Sequence, residues 1–134
     1  MDNNSHCKDS KLNDTSSKEN MEQNGWIFDI TRHKQEKYIV HCGEDSWFGH
    51  SAYWEEGSVS ATFKGSGEAD LVYGNCWMNH NVDVYLNHQK ISFASGGQTR
   101  KEVKFRFTKG DTLKLQEDGA IIKIYSLEIK CNLI

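Results

Sequence analysis

Residues 120–131, the last long stretch of the chain, alternate apolar and polar positions at the two-residue period of a β-strand. Ile122 and Ile124 share one face, and after a slip at Tyr125-Ser126 the residues Leu127, Ile129 and Cys131 return to it. An extra residue in a strand moves every later side chain to the opposite face, so a single slip predicts a β-bulge in a long, centrally placed strand.

The same period recurs upstream in short runs: Trp26 to Thr31, Lys37 to Cys42, Ser58 to Phe63, Glu68 to Tyr73, Val82 to Leu86, Lys90 to Ala94, Glu102 to Thr108 and Thr112 to Gln116. Their inward phase, with that of the final strand, selects a core of Val59, Ala61, Phe63, Leu71, Val84, Leu86, Phe105, Leu113, Leu115, Ile122, Ile124, Leu127 and Ile129. No window keeps apolar residues at the helical period for two turns. The expected fold is therefore all-β, an antiparallel β-sandwich of jelly-roll type with about eight to nine strands over residues 24–134. Residues 1–23 offer little beyond Leu12, Met21 and Cys7 to bury, too little to offset the entropy of ordering, and are expected to form a disordered polar tail. Two glycosylation-type tripeptides, at Asn3 and Asn13, fall in it.

Composition adds bounds. The chain has 134 residues, the size of one domain, and lacks proline, so its turns rest on glycine, asparagine and aspartate, as at Lys64 to Gly67, Asn87 to Gln89, Ser95 to Gly97 and Lys109 to Asp111. A net charge of −3 supplies no basic field, which argues against a nucleic-acid partner. No apolar run approaches the roughly 18 residues of a membrane span, and the first residues lack the apolar centre of a signal peptide.

Ser58 to Tyr73, then Val82 to Asn87, Gly110 to Leu115 and the isoleucine-rich final strand together resemble the galactose-binding-like β-jelly rolls, a superfamily with many non-catalytic carbohydrate-binding modules. The resemblance spans roughly two thirds of the chain and rests on strand pattern and turn glycines, so it bears on fold more than on function. The aspartate-glycine usual in that superfamily's ligand-strand turn is Asn87-His88 here, and no individual calcium or sugar ligand is carried over.

Two segments stand apart from the strand pattern. Gly43 to Gly57 reads as an irregular loop carrying Trp47, Phe48, His50, Tyr53 and Trp54, and Gly74 to Asn81 as a second loop with Asn75, Cys76, Trp77, Asn79 and His80. Large rings on polar segments either stack on sugar faces and partner surfaces or fold back to plug the open end of a sandwich. On the first reading Trp47, His50, Tyr53, Trp54, Asn75, Trp77, Asn79 and His80 form a ligand site for carbohydrate or for a protein partner.

Cys42, Cys76 and Cys131 are disulfide candidates, with Cys76 to Cys131 the first pairing and Cys42 to Cys131 the second, on the expectation that the strand ends gather them at one pole. Buried free thiols are the alternative. The three thiols with His41 or His80 have zinc-type donor chemistry, but each cysteine stands alone on its segment where zinc sites supply ligands in close pairs, so no metal and no cofactor is expected. Asp45, Glu55 and Glu56 near His50 offer carboxylates for glycoside hydrolysis, yet acidic loop residues are ordinarily just solvated. No nucleophile elbow, metalloprotease helix, P-loop or dinucleotide fingerprint is present, and no catalytic residue is assigned. The expected function is a non-catalytic binding module, carbohydrate-binding through aromatic loops at one end of the sandwich, or else an interaction or structural domain of an extracellular or surface assembly.

Overall fold

The computed structural model describes residues 9–13, 26–27, 48–51, 56–75, 80–98, 100–118 and 120–131. Its strands are β1 (Ser10–Asn13), β2 (Trp26–Ile27), β3 (Phe48–Ser51), β4 (Glu56–Thr62), β5 (Gly67–Asn75), β6 (Val82–Leu86), β7 (Gln89–Ala94), β8 (Lys101–Phe107), β9 (Thr112–Asp118) and β10 (Ile121–Cys131). They form two antiparallel sheets. In the first, the order runs β1-β10-β5-β8, with β3 also on β10; in the second, β2-β4-β9-β6-β7. From β4 onward the chain changes sheet at every connection except the β6–β7 hairpin, which gives the jelly-roll sandwich.

β10 is the axis of the first sheet. One of its edges is taken along nearly its whole length by β5, and the other is shared by β3, opposite Ile121 to Ile124, and β1, opposite Ser126 to Ile129. The register slips between Ile124, which faces Tyr73, and Ser126, which faces Val72, so Tyr125 is the inserted residue of a bulge at the predicted place. Its ring is buried, with the Arg100 guanidinium 4.4 Å from the ring centroid.

Between the sheets lies one core. All the predicted positions except Leu86 and Phe105 are buried, and those two pack against it partly buried. Ala69, Tyr73, Val82, Ala94, Phe107 and Ala120 complete it. Phe63 stacks on Phe107 at 3.9 Å between centroids and meets Phe105 edge-on at 6.0 Å, closing the far end of the sandwich. Burial pushes the Tyr73 phenol above its ordinary pKa and the Asp83 charge adds to that, against a hydrogen bond with the Ser92 hydroxyl. Gly67 permits a close approach of β5 to β10: a Cβ there would stand 2.0 Å from the Lys130 carbonyl oxygen.

Three sequence expectations change. Ser10–Asn13 lie in the segment expected to be unstructured, yet they add a strand to β10. An open sheet edge offers unpaired N–H and C=O groups, so a polar segment can be recruited by backbone hydrogen bonds without an apolar face. Phe48–Ser51, expected to be loop, pair with the other half of the same edge, and four residues around Gly49 are too few for alternation to reveal them. Of the predicted strand Trp26 to Thr31, only Trp26–Ile27 pair with β4 among the described residues; the one at Lys37 to Cys42 lies outside them.

Candidate functional site

Strand ends define a pole. Ser51 faces Ile121 and Asn75 faces Ile122, so β3 and β5 both finish at the start of β10, on its two sides and about 10 Å apart by strand spacing. β4 begins opposite Asp118 and β6 opposite Glu117, at the end of β9, which turns through Ala120 into β10. The connections from Ser51 to Glu56 and from Asn75 to Val82 therefore both cross between sheets at this one end. They carry Tyr53, Trp54, Trp77 and Asn79.

Asn75 fixes the second connection. Its side chain is fully buried, and its Nδ2 donates to the His80 carbonyl at 3.0 Å and to the Ala94 carbonyl at 3.3 Å. Its backbone N–H donates to the Gln98 carbonyl at 2.8 Å, joining the β7–β8 turn to the same point. One amide thus links Asn75 to His80 and to the end of β7. His80 is exposed and held at φ 67, a left-handed conformation that asparagine, aspartate and histidine tolerate better than most residues.

Of the predicted site residues, the structure brings Asn75, His80 and the His50 backbone to this pole, with His50 and Asn75 on opposite sides of Ile122. Asn75 contributes from beneath the surface, its amide occupied by two carbonyls. Trp47, Tyr53, Trp54, Trp77 and Asn79, with Cys42 and Cys76, lie outside the described residues.

Cysteine placement is corrected by the direction of β10. Cys131 faces Gly67, the first residue of β5, whereas Asn75, its last residue, faces Ile122. Those points are separated by the length of the strand, on the order of 25–30 Å at about 3.3 Å per residue. Cys76 follows Asn75 by one Cα step of ~3.8 Å, so a bond from Cys76 to Cys131, which needs Cα atoms within about 7 Å, is excluded. A zinc site drawing on all three thiols and His80 fails for the same reason. The Asp9 carboxylate accepts from the Cys131 backbone N–H at 2.8 Å.

Two buried charges at the pole were missed from sequence. Glu117 and Lys123 are each 1% exposed, and each has interaction partners in the fold. Glu117 continues the inward phase of Leu113 and Leu115, and a charge in that phase was the available signal. Lys123 is flanked across the sheet by Gly49 and Gly74, a pairing that only the register reveals.

The solvent face of the first sheet offers a hollow of about 580 Å³, bordered by Glu68, Asp70, Lys104, Arg106, Glu128 and Lys130. Much of its charge is neutralised in place, by pairs between Arg106 and Glu68 at 3.4 Å and between Lys130 and Glu128 at 3.6 Å. Among the described residues no helix is long and apolar enough to cross a membrane.

No family model and no curated protein matches the chain. Among solved structures it is similar to the family 35 carbohydrate-binding module from Cellvibrio japonicus Abf62, at 13% identity and a TM-score of 0.53, over 94% of this chain and 95% of that one. A family 35 carbohydrate-binding module from an environmental isolate is similar at 13% identity and a TM-score of 0.51, over 92% and 93%. At that identity the likeness concerns the fold alone: the chain is an antiparallel β-sandwich of jelly-roll type.

Proposed function

We propose that this protein is a non-catalytic carbohydrate-binding module whose ligand site lies at the pole where β3 and β5 end. The observation that carries the reading is that β3 and β5, which lead into the two aromatic-rich segments, end on either side of the start of β10, where the Asn75 amide holds the His80 carbonyl. Rings on these connections would stack on the apolar face of a pyranose, with His80 and Asn79 directing hydrogen bonds at its hydroxyls. The similar structures are themselves named as carbohydrate-binding modules, which supports the same reading.

Affinity for a single site on a shallow surface should be weak, on the order of micromolar to millimolar. The test pairs two measurements on Trp77→Ala: a glycan-array and titration screen, and a thermal melt. Lost glycan binding with an unchanged melt is the expected result. A ring that plugs the sandwich would instead cost about 3–5 kcal/mol of stability. That outcome, with no glycan bound by the unaltered protein, would leave the interaction-domain reading in place of this one.

A further inference from the structure

Two edge strands end the sheets, β8 in the first and β7 in the second. They are not equally open. Lys101 reaches across to β7, where its Nζ donates to the Phe93 carbonyl at 2.5 Å and stands 4.7 Å from the centroid of the Phe93 ring, so that edge already has a donor on one of its carbonyls. β8 has β5 on one side and, among the described residues, no strand on the other.

Register fixes which groups that free edge presents. The Asn75 N–H donates to the Gln98 carbonyl, just ahead of β8, and N–H directions alternate along a strand, so Tyr73, Leu71, Ala69 and Gly67 also turn theirs toward β8. Their partners Lys101, Val103, Phe105 and Phe107 are therefore the residues hydrogen-bonded to β5, which leaves the N–H and C=O groups of Glu102, Lys104 and Arg106 facing outward along the edge. Val103 and Phe105, on the inner face, are only partly buried, so the rim of the core beside this edge stays open to water. On the outer face Glu102 and Lys104 are exposed, and neither enters an ion pair among the described residues, whereas Arg106 is held by Glu68 at 3.4 Å. Opposite charges two residues apart on an edge strand complement themselves when the same strand approaches antiparallel.

We infer that the free edge of β8 is a self-association surface whose occupant is a second copy of this chain, paired antiparallel about a two-fold axis at Val103, so that the first sheets of two molecules join into one. Glu102 and Lys104 of each copy then lie opposite Lys104 and Glu102 of the other, with about four backbone hydrogen bonds between them and an ion pair across each. Val103 meets Val103 on the axis and covers the open rim. A register two residues away sets Lys104 against Lys104, so the charges select this pairing over that one. So short an interface gives reversible association, half complete at a protein concentration on the order of 100 μM. Antiparallel pairing points the two poles in opposite directions, and a dimer with ligand sites there bridges two targets; that consequence rests on the carbohydrate-binding reading, while the dimer does not.

Sedimentation velocity of the full chain over a concentration series tests it, on the unaltered protein and on Lys104→Pro, Glu102→Lys, Lys104→Glu and the double exchange Glu102→Lys/Lys104→Glu, with a melting curve for each. Proline at 104 removes an N–H that points away from β5, so the monomer keeps its ladder while the pairing edge is blocked. Expected are a concentration-dependent dimer in the unaltered protein, a folded monomer at every concentration in Lys104→Pro, about tenfold weaker association in each single charge variant, and recovery in the double exchange. The charge variants decide the matter by themselves if the proline variant does not fold. A chain that stays monomeric up to about 1 mM overturns the inference, as does a dimer that persists in folded Lys104→Pro, a double exchange no better than either single variant, or a dimer that a non-reducing gel shows to be covalent. None of these results bears on glycan binding, so the pole reading stands or falls separately.

Discussion

Asn75 gives the sharpest test of how the pole is built, because its role depends on which atom of the amide points where. Fully buried, it sends Nδ2 to two backbone carbonyls, at 3.0 and 3.3 Å. Asn75→Ala removes both hydrogen bonds and orphans the acceptors, and at roughly 0.5–1.5 kcal/mol net per bond the loss is about 1–3 kcal/mol. Asn75→Asp keeps the shape but replaces a donor with an acceptor, aiming an oxygen at two carbonyl oxygens. A buried carboxylate with one oxygen turned toward two carbonyl oxygens is worse than a small void, so at neutral pH this variant should be the less stable of the two, with a loss of about 3 kcal/mol or more.

The pH dependence separates the causes. In the folded Asn75→Asp protein the introduced acid is favoured in its protonated form, which again donates, so its folded pKa lies above the unfolded value of about 3.9. A group raised in this way contributes its stability below the unfolded pKa and loses it as pH rises through the folded one. The Asp variant should therefore be comparable to or better than the Ala variant near about pH 4, and fall behind it toward about pH 7. Urea denaturation of the three proteins across that range measures the gap. An Asp variant within about 0.5 kcal/mol of the unaltered protein at neutral pH, or a gap to Ala that does not move with pH, would refute the donor role.

Two other perturbations follow from the same structure. Ile124 is fully buried in β10 beside the bulge, between Phe48 and Tyr73, so Ile124→Ala should cost roughly 2–5 kcal/mol in a denaturant titration with little change of slope. An unchanged midpoint would mean that β10 is not central. Burial alone would raise the Asp111 carboxyl, but hydrogen bonds from Thr108 and Asn87 outweigh it and hold the group below its ordinary value. Its small contribution is thus present above the unfolded pKa of about 3.9 and disappears as pH falls through the lower folded one, and Asp111→Asn should flatten that acid limb of the stability profile.

Alternation along the chain was enough to place the strands of the core, because each is half-buried and its period-two pattern records which face meets the other sheet. The slip at Tyr125-Ser126 was legible for the same reason: an inserted residue reverses the phase, and the apolar residues before and after it must still reach one core. Sequence also located the aromatic-rich segments, since large rings outside any strand pattern stand out locally. It did not locate β1 and β3, whose pairing depends on an edge of β10 that exists only once the sheet has formed. Nor did it give strand direction across the sandwich, and that decided the cysteines: composition brings Cys76 and Cys131 together as readily as apart, while antiparallel register sends them to opposite ends of β5 and β10. The inward glutamate at 117 could be read from the phase of Leu113 and Leu115, whereas the lysine between two glycines is a product of register, which pairs residues far apart in the chain and leaves no local trace in the sequence.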